Sequence, residues 1–557
     1  MATTSVEIAP PSRAHFRTGA KGIRDCDLLR SGIYVTDQYV GYVEAYKEVA
    51  VTVVNSTVTR PTVETVYGPV RGMDDGQVKT WKGLRYAAAP EGDLRWRAPQ
   101  PPERWTEVVD AVEFGAISPQ PKSPIPLGTG TRAAEDCLFL NVWAPSGAEP
   151  GSTPVMVWVH GGAYIFGAAS QPLYDGRVLA SGGDVVVVTL NYRMGAFGFL
   201  DLSGFGPEFD TNLGLRDVLR ALEWVRDNIA AFGGDPSNVT LFGESAGAGI
   251  ITTLLAAPAA AGLFHRAIAQ SSPATSIYSS SRAHTVAQLV LDHAGVTADE
   301  ARTVPFEALV DASMYVFDHV PSTTPGTLAF APTMDGDLVP DYPVKLGREG
   351  RTSAVPLLIG TNRDEAALFR WMRSPLMPIA PATIRAMFDE IAAEQPGLQL
   401  PSEAEIGSAY SGIRTRTLGL HVARDVGFRM PTVWFAEGHA TVAPVYLYRF
   451  DWTTPMLRVL RLGAAHATEL PYVWGNLVMG PRDITFKLGG LKAGTAVSER
   501  MRTRWTEFAH GRPPGEDWAG YDAEARRTLV IDREDTVVDD LDAGIRAAWG
   551  DEILSFR

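Results

Sequence analysis

Where this 557-residue chain reads Gly243-Glu244-Ser245-Ala246-Gly247, a serine is framed by glycines two residues away on either side. The four residues before Gly243, Val239-Thr240-Leu241-Phe242, are apolar and β-prone, and the apolar run at 250–257 suits a packed helix. A strand turning into a helix over so few residues thrusts the intervening side chain above the sheet edge, and the glycines leave room for the two elements to approach. A hydroxyl held there becomes a nucleophile only if a base takes its proton and an acid fixes the tautomer of that base.

Two downstream stretches offer those partners. An apolar strand pattern ending in Leu357-Leu358-Ile359-Gly360 delivers Asn362-Arg363-Asp364-Glu365 just past its end, and spacing does not choose between the two carboxylates. Ala464-Ala465-His466-Ala467-Thr468-Glu469-Leu470 presents a histidine among small residues. Attack on a carbonyl also needs donors for the developing oxyanion. The side-chain-poor text His160-Gly161-Gly162-Ala163-Tyr164 and the N–H of Ala246 supply two or three.

These groups must be positioned by a scaffold, and the chain alternates short β-branched runs with longer helical patterns. Residues 154–159 and 185–190 are near-continuous apolar runs, as expected of strands buried on both faces. Leu215, Val218, Leu219, Leu222, Val225 and Ile229 recur at helical spacing and predict a helix over 213–232. Further strands are expected at 266–270, 355–360 and 445–449. The class is α/β: a central, mostly parallel twisted sheet flanked by helices. Residues 33–54, rich in Val, Tyr and Ile, predict one or two strands within an N-terminal extension spanning 1–60, ahead of a catalytic body at 61–557.

With 45% hydrophobic and 20% charged residues the chain has the composition of an ordinary globule with a large core. Its formal charge of −14 argues against a nucleic-acid partner, which requires a basic surface. Two cysteines, Cys26 and Cys137, suit a reducing compartment better than a disulfide-stapled secreted protein. The first 25 residues hold no apolar stretch of signal-peptide length, and no run reaches the roughly 18 apolar residues of a membrane span. The expectation is a cytoplasmic protein with no membrane partner.

Further motifs fall in a fixed order: Tyr67-Gly68-Pro69-Val70-Arg71-Gly72, Glu135-Asp136-Cys137-Leu138-Phe139-Leu140-Asn141-Val142, the 160–164 loop, Asn191-Tyr192-Arg193, the serine turn, Asn362-Arg363-Asp364-Glu365 and the His466 segment. From about Val66 to Trp549 the chain resembles the type-B carboxylesterase family of the α/β-hydrolase superfamily, relatives of the cholinesterases and bacterial p-nitrobenzyl esterases. The resemblance implies an α/β-hydrolase fold with helical cap insertions around a gorge. It implies hydrolysis of a small-molecule carboxylic ester through an acyl-enzyme, without cofactor or metal. Position by position it implies Ser245 as nucleophile, Glu365 rather than Asp364 as acid, His466 as base, and Gly162, Ala163 and Ala246 as oxyanion donors. Glu244 and Ser271 match residues that orient water and the triad, while Arg95 with Glu135 and Arg193 with Asp217 match structural ion pairs. His160 is expected to support the oxyanion loop by packing. His15, His265, His284, His293, His319, His421, His439 and His510 are expected at the surface or as satisfied core groups.

The chain also departs from its relatives. The position that would pair with Cys137 falls near Ser118, so Cys137 is expected to be a free buried thiol. Residues 119–134 contain no aromatic side chain to bind a quaternary ammonium, so choline esters are not expected as substrates. Ala163 replaces a third glycine, a variant associated with roomy sites, and Leu368-Phe369-Arg370-Trp371-Met372 is a candidate apolar wall of the gorge. The same machinery could act on a carbamate or an anilide. A non-catalytic, cholinesterase-like binding protein is the remote alternative, opposed by the three filled triad positions. Activity is expected to rise with pH over about 6 to 7 as His466 becomes neutral.

Overall fold

The computed structural model describes residues 58–480 and 483–555. The strands expected at 33–54, together with His15 and Cys26, lie outside the described residues. An eleven-stranded sheet dominates, built in chain order from β1 (Met73–Asp74), β2 (Val78–Arg85), β3 (Phe139–Pro145), β4 (Thr153–Val159), β5 (Val186–Leu190), β6 (Gly234–Glu244), β7 (Arg266–Gln270), β8 (Leu357–Asn362), β9 (Val445–Phe450), β10 (Thr528–Ile531) and β11 (Thr536–Val538). Their spatial order is β1-β2-β3-β5-β4-β6-β7-β8-β9-β10-β11. The stretch from β5 to β10 is parallel throughout, and the edges are antiparallel.

The apolar runs became strands because both faces of the sheet are covered. Along β4, Val155, Val157 and Val159 join one core cluster while Met156 and Trp158 join the other; Leu241 and Phe242 of β6 divide in the same way. Both faces therefore demand apolar side chains, and polar alternation disappears. The helix expected over 213–232 is α-helical at Leu213–Asn228 and tightens to a 3-10 turn at Ile229–Phe232, where Gly233, at φ 98°, stops it. The strand expected at 355–360 begins two residues later, at Leu357, because Pro356 has no N–H to give to a ladder.

Strand register aligns the chemistry. Val159, Gly243, Ala269, Ile359 and Leu447 lie in one row across β4, β6, β7, β8 and β9, so the chain leaves each strand at a common carboxyl edge. Open α/β sheets expose their binding sites there. Helical excursions emerge beyond that edge, among them Phe306–Thr323 after β7 and Ala366–Met372 and Thr415–Arg424 after β8. Among the described residues no helix is long and apolar enough to cross a membrane.

Candidate active site

β6 ends at Glu244, and the helix Ala246–Leu255 begins only one residue later. Ser245 bridges them at φ 56°, ψ −125°, a conformation that costs a non-glycine residue about 1–3 kcal/mol. The following glycine is obligatory on packing grounds. A Cβ on Gly247 would lie 2.1 Å from the carbonyl oxygen of Val159, so only glycine lets the helix start against the end of β4. Ser245 is held from below as its N–H donates to the carbonyl of Gln270 at 2.9 Å, and its side chain remains half-buried rather than sealed.

His466, 221 residues away, places Nε2 2.8 Å from Ser245 Oγ. Its Nδ1 lies 2.7 Å from Oε2 of Glu365. Glu365 is fully buried, and its other oxygen accepts from Ser271 Oγ and from the Asn362 N–H, each at 2.6 Å. An ionised carboxylate only accepts, so it selects the tautomer with the proton on Nδ1 and leaves the Nε2 lone pair for the serine hydroxyl. Asp364 points elsewhere. It accepts from the Ala464 N–H at 3.0 Å while its own N–H donates to the Ala464 carbonyl at 2.9 Å, clamping the loop before His466 to the loop before Glu365.

The glycine-rich loop after β4 is pressed against Glu244 and Ser245. A Cβ on Gly161 would fall 2.8 Å from Glu244 Oε2 and 2.9 Å from Ser245 Cβ. Gly162 (φ 121°), Ala163 (φ 52°) and Tyr164 (φ 61°) follow with positive φ. Among the described residues the N–H groups of Gly162, Ala163 and Ala246 donate to no protein acceptor. His160 braces the loop: it is wholly buried, stacks on Tyr192 at 4.6 Å, and its carbonyl accepts from the Tyr192 hydroxyl at 2.7 Å. Burial pushes its pKa down to about 4, so it stays neutral.

Glu244 stands beside His466 and Ser271 donates to Glu365, and the structure adds neighbours not anticipated. Oε1 of Glu244 lies 3.1 Å from His466 Nε2, and burial raises the Glu244 carboxyl to about 8. Burial opposes a charge on His466, but the carboxylates of Glu244 and Glu365 outweigh it and raise the imidazole to about 9. Glu469, fully buried, accepts from Asn362 Nδ2 at 2.5 Å and Gln270 Nε2 at 3.0 Å, and burial raises its pKa. Phe428 and Phe369 flank the imidazole, with ring centroids 4.7 and 5.2 Å away. Glu469 stands within the histidine segment already singled out. Phe428 gave no sign, being one apolar residue in a helical stretch, although it sits in a π-turn at Asp425–Arg429 of the kind that often marks functional positions.

The candidate gorge wall is corrected in part. Phe369 packs beside His466, but Trp371 is 62% exposed and Met372 43% exposed, because the helix Ala366–Met372 turns its far end to solvent. Arg95 pairs with Glu135, and Arg193 binds the buried Asp217 through two bonds of 2.9 and 2.7 Å. Cys137 is a free, buried thiol, raised in pKa by burial. The remaining described histidines are engaged away from Ser245: His439 with Thr352 and the Val355 carbonyl, His510 with the Gly183 carbonyl, His265 with the Val239 N–H, and His284, His293, His319 and His421 against aromatic rings.

Comparison with known proteins places this geometry in a lineage. A family model described as the carboxylesterase family matches residues 59–548. The para-nitrobenzyl esterase of Bacillus subtilis (strain 168) is 41% identical over 494 residues, covering 86% of this chain and 97% of that protein. The phenmedipham hydrolase of Pseudarthrobacter oxydans is 35% identical over 498 residues, covering 86% and 96%. A solved thermophilic PNB esterase superposes with a TM-score of 0.77 at 38% identity, covering 88% of this chain and all of the other. On the strength of this match, and of an α/β-hydrolase sheet carrying its serine at the β6 edge, the chain belongs to the carboxylesterase family and is a carboxylic ester hydrolase.

Proposed function

We propose that Ser245, His466 and Glu365 form the catalytic triad, and that Gly162, Ala163 and Ala246 donate the oxyanion hydrogen bonds. The observation that carries this reading is the continuous contact from Ser245 Oγ to His466 Nε2 at 2.8 Å and from His466 Nδ1 to Glu365 at 2.7 Å. His466 Nε2 takes the serine proton as Oγ attacks the ester carbonyl, and the three N–H groups hold the tetrahedral oxyanion. The imidazolium then protonates the departing alcohol. A water, deprotonated by the same nitrogen, cleaves the acyl-enzyme and regenerates Ser245.

Residues 61–557 form the catalytic body, and residues 1–60 are an extension ahead of it. Cytoplasmic residence is part of the same reading and is supported by the free thiol of Cys137. A Ser245→Ala variant is expected to lose p-nitrophenyl acetate hydrolysis by at least about 10³-fold and to lose labelling by a fluorophosphonate. Retention of either by the variant overturns the assignment.

A second reading keeps the triad and changes the scissile bond to a carbamate or anilide, and it is favoured by the 35% identity to a phenmedipham hydrolase. Turnover of p-nitrophenyl acetate and of phenmedipham, measured side by side on one preparation, separates the two.

A further inference from the structure

We infer that the chain carries a binding site for a small multivalent anion behind the loops that hold Glu365 and His466. A cavity of about 620 Å³ is walled by residues of both loops, including Asp364, Ala366 and Gly463, and by the helix Thr415–Arg424. Its lining is cationic to a degree that is unusual for a chain of formal charge −14. Arg370, Arg414, Arg416, Arg458 and Arg461 all face it, are exposed, and among the described residues have no carboxylate or other side-chain partner. Two further arginines line it with partners of their own. Arg363 binds Asp364 at 3.1 Å, and Arg424 is held by Asp425 at 2.6 and 2.8 Å. Asp364 is the one acidic side chain in the lining, and it is already occupied by Arg363 and the Ala464 N–H.

Elsewhere on this molecule arginines meet carboxylates, as in Arg71 with Asp110, Arg193 with Asp217 and Arg429 with Asp542. Here five come from three separated segments to one concave space without them. Like charges gathered in a cleft focus a positive potential and draw anions from solution. Guanidinium forks match carboxylate and phosphate oxygens bidentately, whereas a single monovalent ion satisfies only one of them. The fitting ligand is therefore a compact solute with two or more carboxylate or phosphate groups.

The test is calorimetric titration of the full chain with citrate and, separately, with pyrophosphate, at fixed ionic strength and with acetate as the monovalent control. Saturable 1:1 binding of at least one multivalent anion is expected, about tenfold or more tighter than acetate. Whichever of the two binds identifies the site as a polycarboxylate or a polyphosphate site. The Arg414→Glu/Arg458→Glu variant is expected to lose about tenfold or more of that affinity while anion-free p-nitrophenyl acetate turnover stays at the parent level. Arg416→Gln, a milder change, is expected to weaken binding in the same direction if the charge reversal impairs folding. Absence of saturable binding by both anions, equal binding of acetate, or parental affinity in the variants overturns the inference.

Discussion

The carboxylate of Glu244 and the Nε2 of His466 are 3.1 Å apart, at the same ring nitrogen that meets the serine hydroxyl. If that nitrogen carried only a lone pair, it would face an ionised oxygen without a proton between them. Burial resolves this by lifting the Glu244 carboxyl to about 8, while the charge on Glu244, when present, helps to lift His466 to about 9. The charge on each group therefore alters the proton affinity of the other, and the two give up their protons as a pair.

This coupling moves the acid limb of the pH profile. In the proposed mechanism His466 must be neutral to accept the serine proton, and nearby carboxylates favour the imidazolium, so the limb in kcat/KM is expected above the free-imidazole value of 6.5 rather than at 6 to 7. In Glu244→Gln one of the raising charges is gone, neutral His466 appears at lower pH, and the limb is expected to shift down by about 1 unit. A limb that stays in place, or moves to higher pH, contradicts this electrostatic role.

Ser271 donates to Glu365 at 2.6 Å from a backbone at φ 51°. Ser271→Ala removes a hydrogen bond to a charged, buried acceptor, a change of about 1.5–3 kcal/mol, so kcat is expected to fall by roughly 10- to 100-fold with KM little altered. Ser271→Gly relieves the backbone but also lacks the hydroxyl, and should match the alanine variant in kcat. Recovery of kcat in the glycine variant would show that backbone strain, not the hydroxyl, was at issue.

Gly247→Ala is expected to be defective in folding rather than in chemistry. Its Cβ would sit 2.1 Å from the Val159 carbonyl oxygen and 2.8 Å from that of His160, both well inside van der Waals contact. Overpacking of this kind typically costs about 1–3 kcal/mol or more, to be seen as a lowered urea midpoint in the soluble fraction. A variant with parental midpoint and activity would mean that the helix can start further from β4.

Arg193→Ala leaves Asp217, which has 0% side-chain exposure, as an uncompensated buried charge. Removing one partner of such a pair costs about 3–5 kcal/mol, so a large drop in the urea midpoint is expected. The Arg193→Ala/Asp217→Asn double variant should recover part of it, because the stranded charge is gone. A double variant no better than the single one argues against the pair as the cause.

Much of the site was legible because it is local. The strand–serine–helix turn, the glycine-rich loop after β4 and the buried runs of β4 and β5 are each encoded within a dozen residues by size, turn chemistry and periodicity. The residues alone left Asp364 and Glu365 open; family resemblance favoured Glu365. In the fold Glu365 reaches His466 Nδ1, and Asp364 ties the loop at Ala464. Adjacent side chains leave a loop in different directions, and which one meets the base depends on how that loop sits over β8, information absent from the local string.

The amino-acid order determined on its own which hydroxyl is held in a strained turn, which backbone is bare enough to offer donors, and which segments are apolar on both sides, since neighbouring residues settle these. Only the tertiary structure decided the company His466 keeps. The register of β6, β7 and β8 brings Glu244 and Glu365 to one ring, the segment after β9 and the turn at Asp425–Arg429 add Glu469 and Phe428, and the stacking of two loops against a distant helix gathers the arginines of the cavity. Glu244 and Glu365 each stand more than a hundred residues from His466 in the chain, and burial and charge act through space, so their effects exist only once the sheet is assembled.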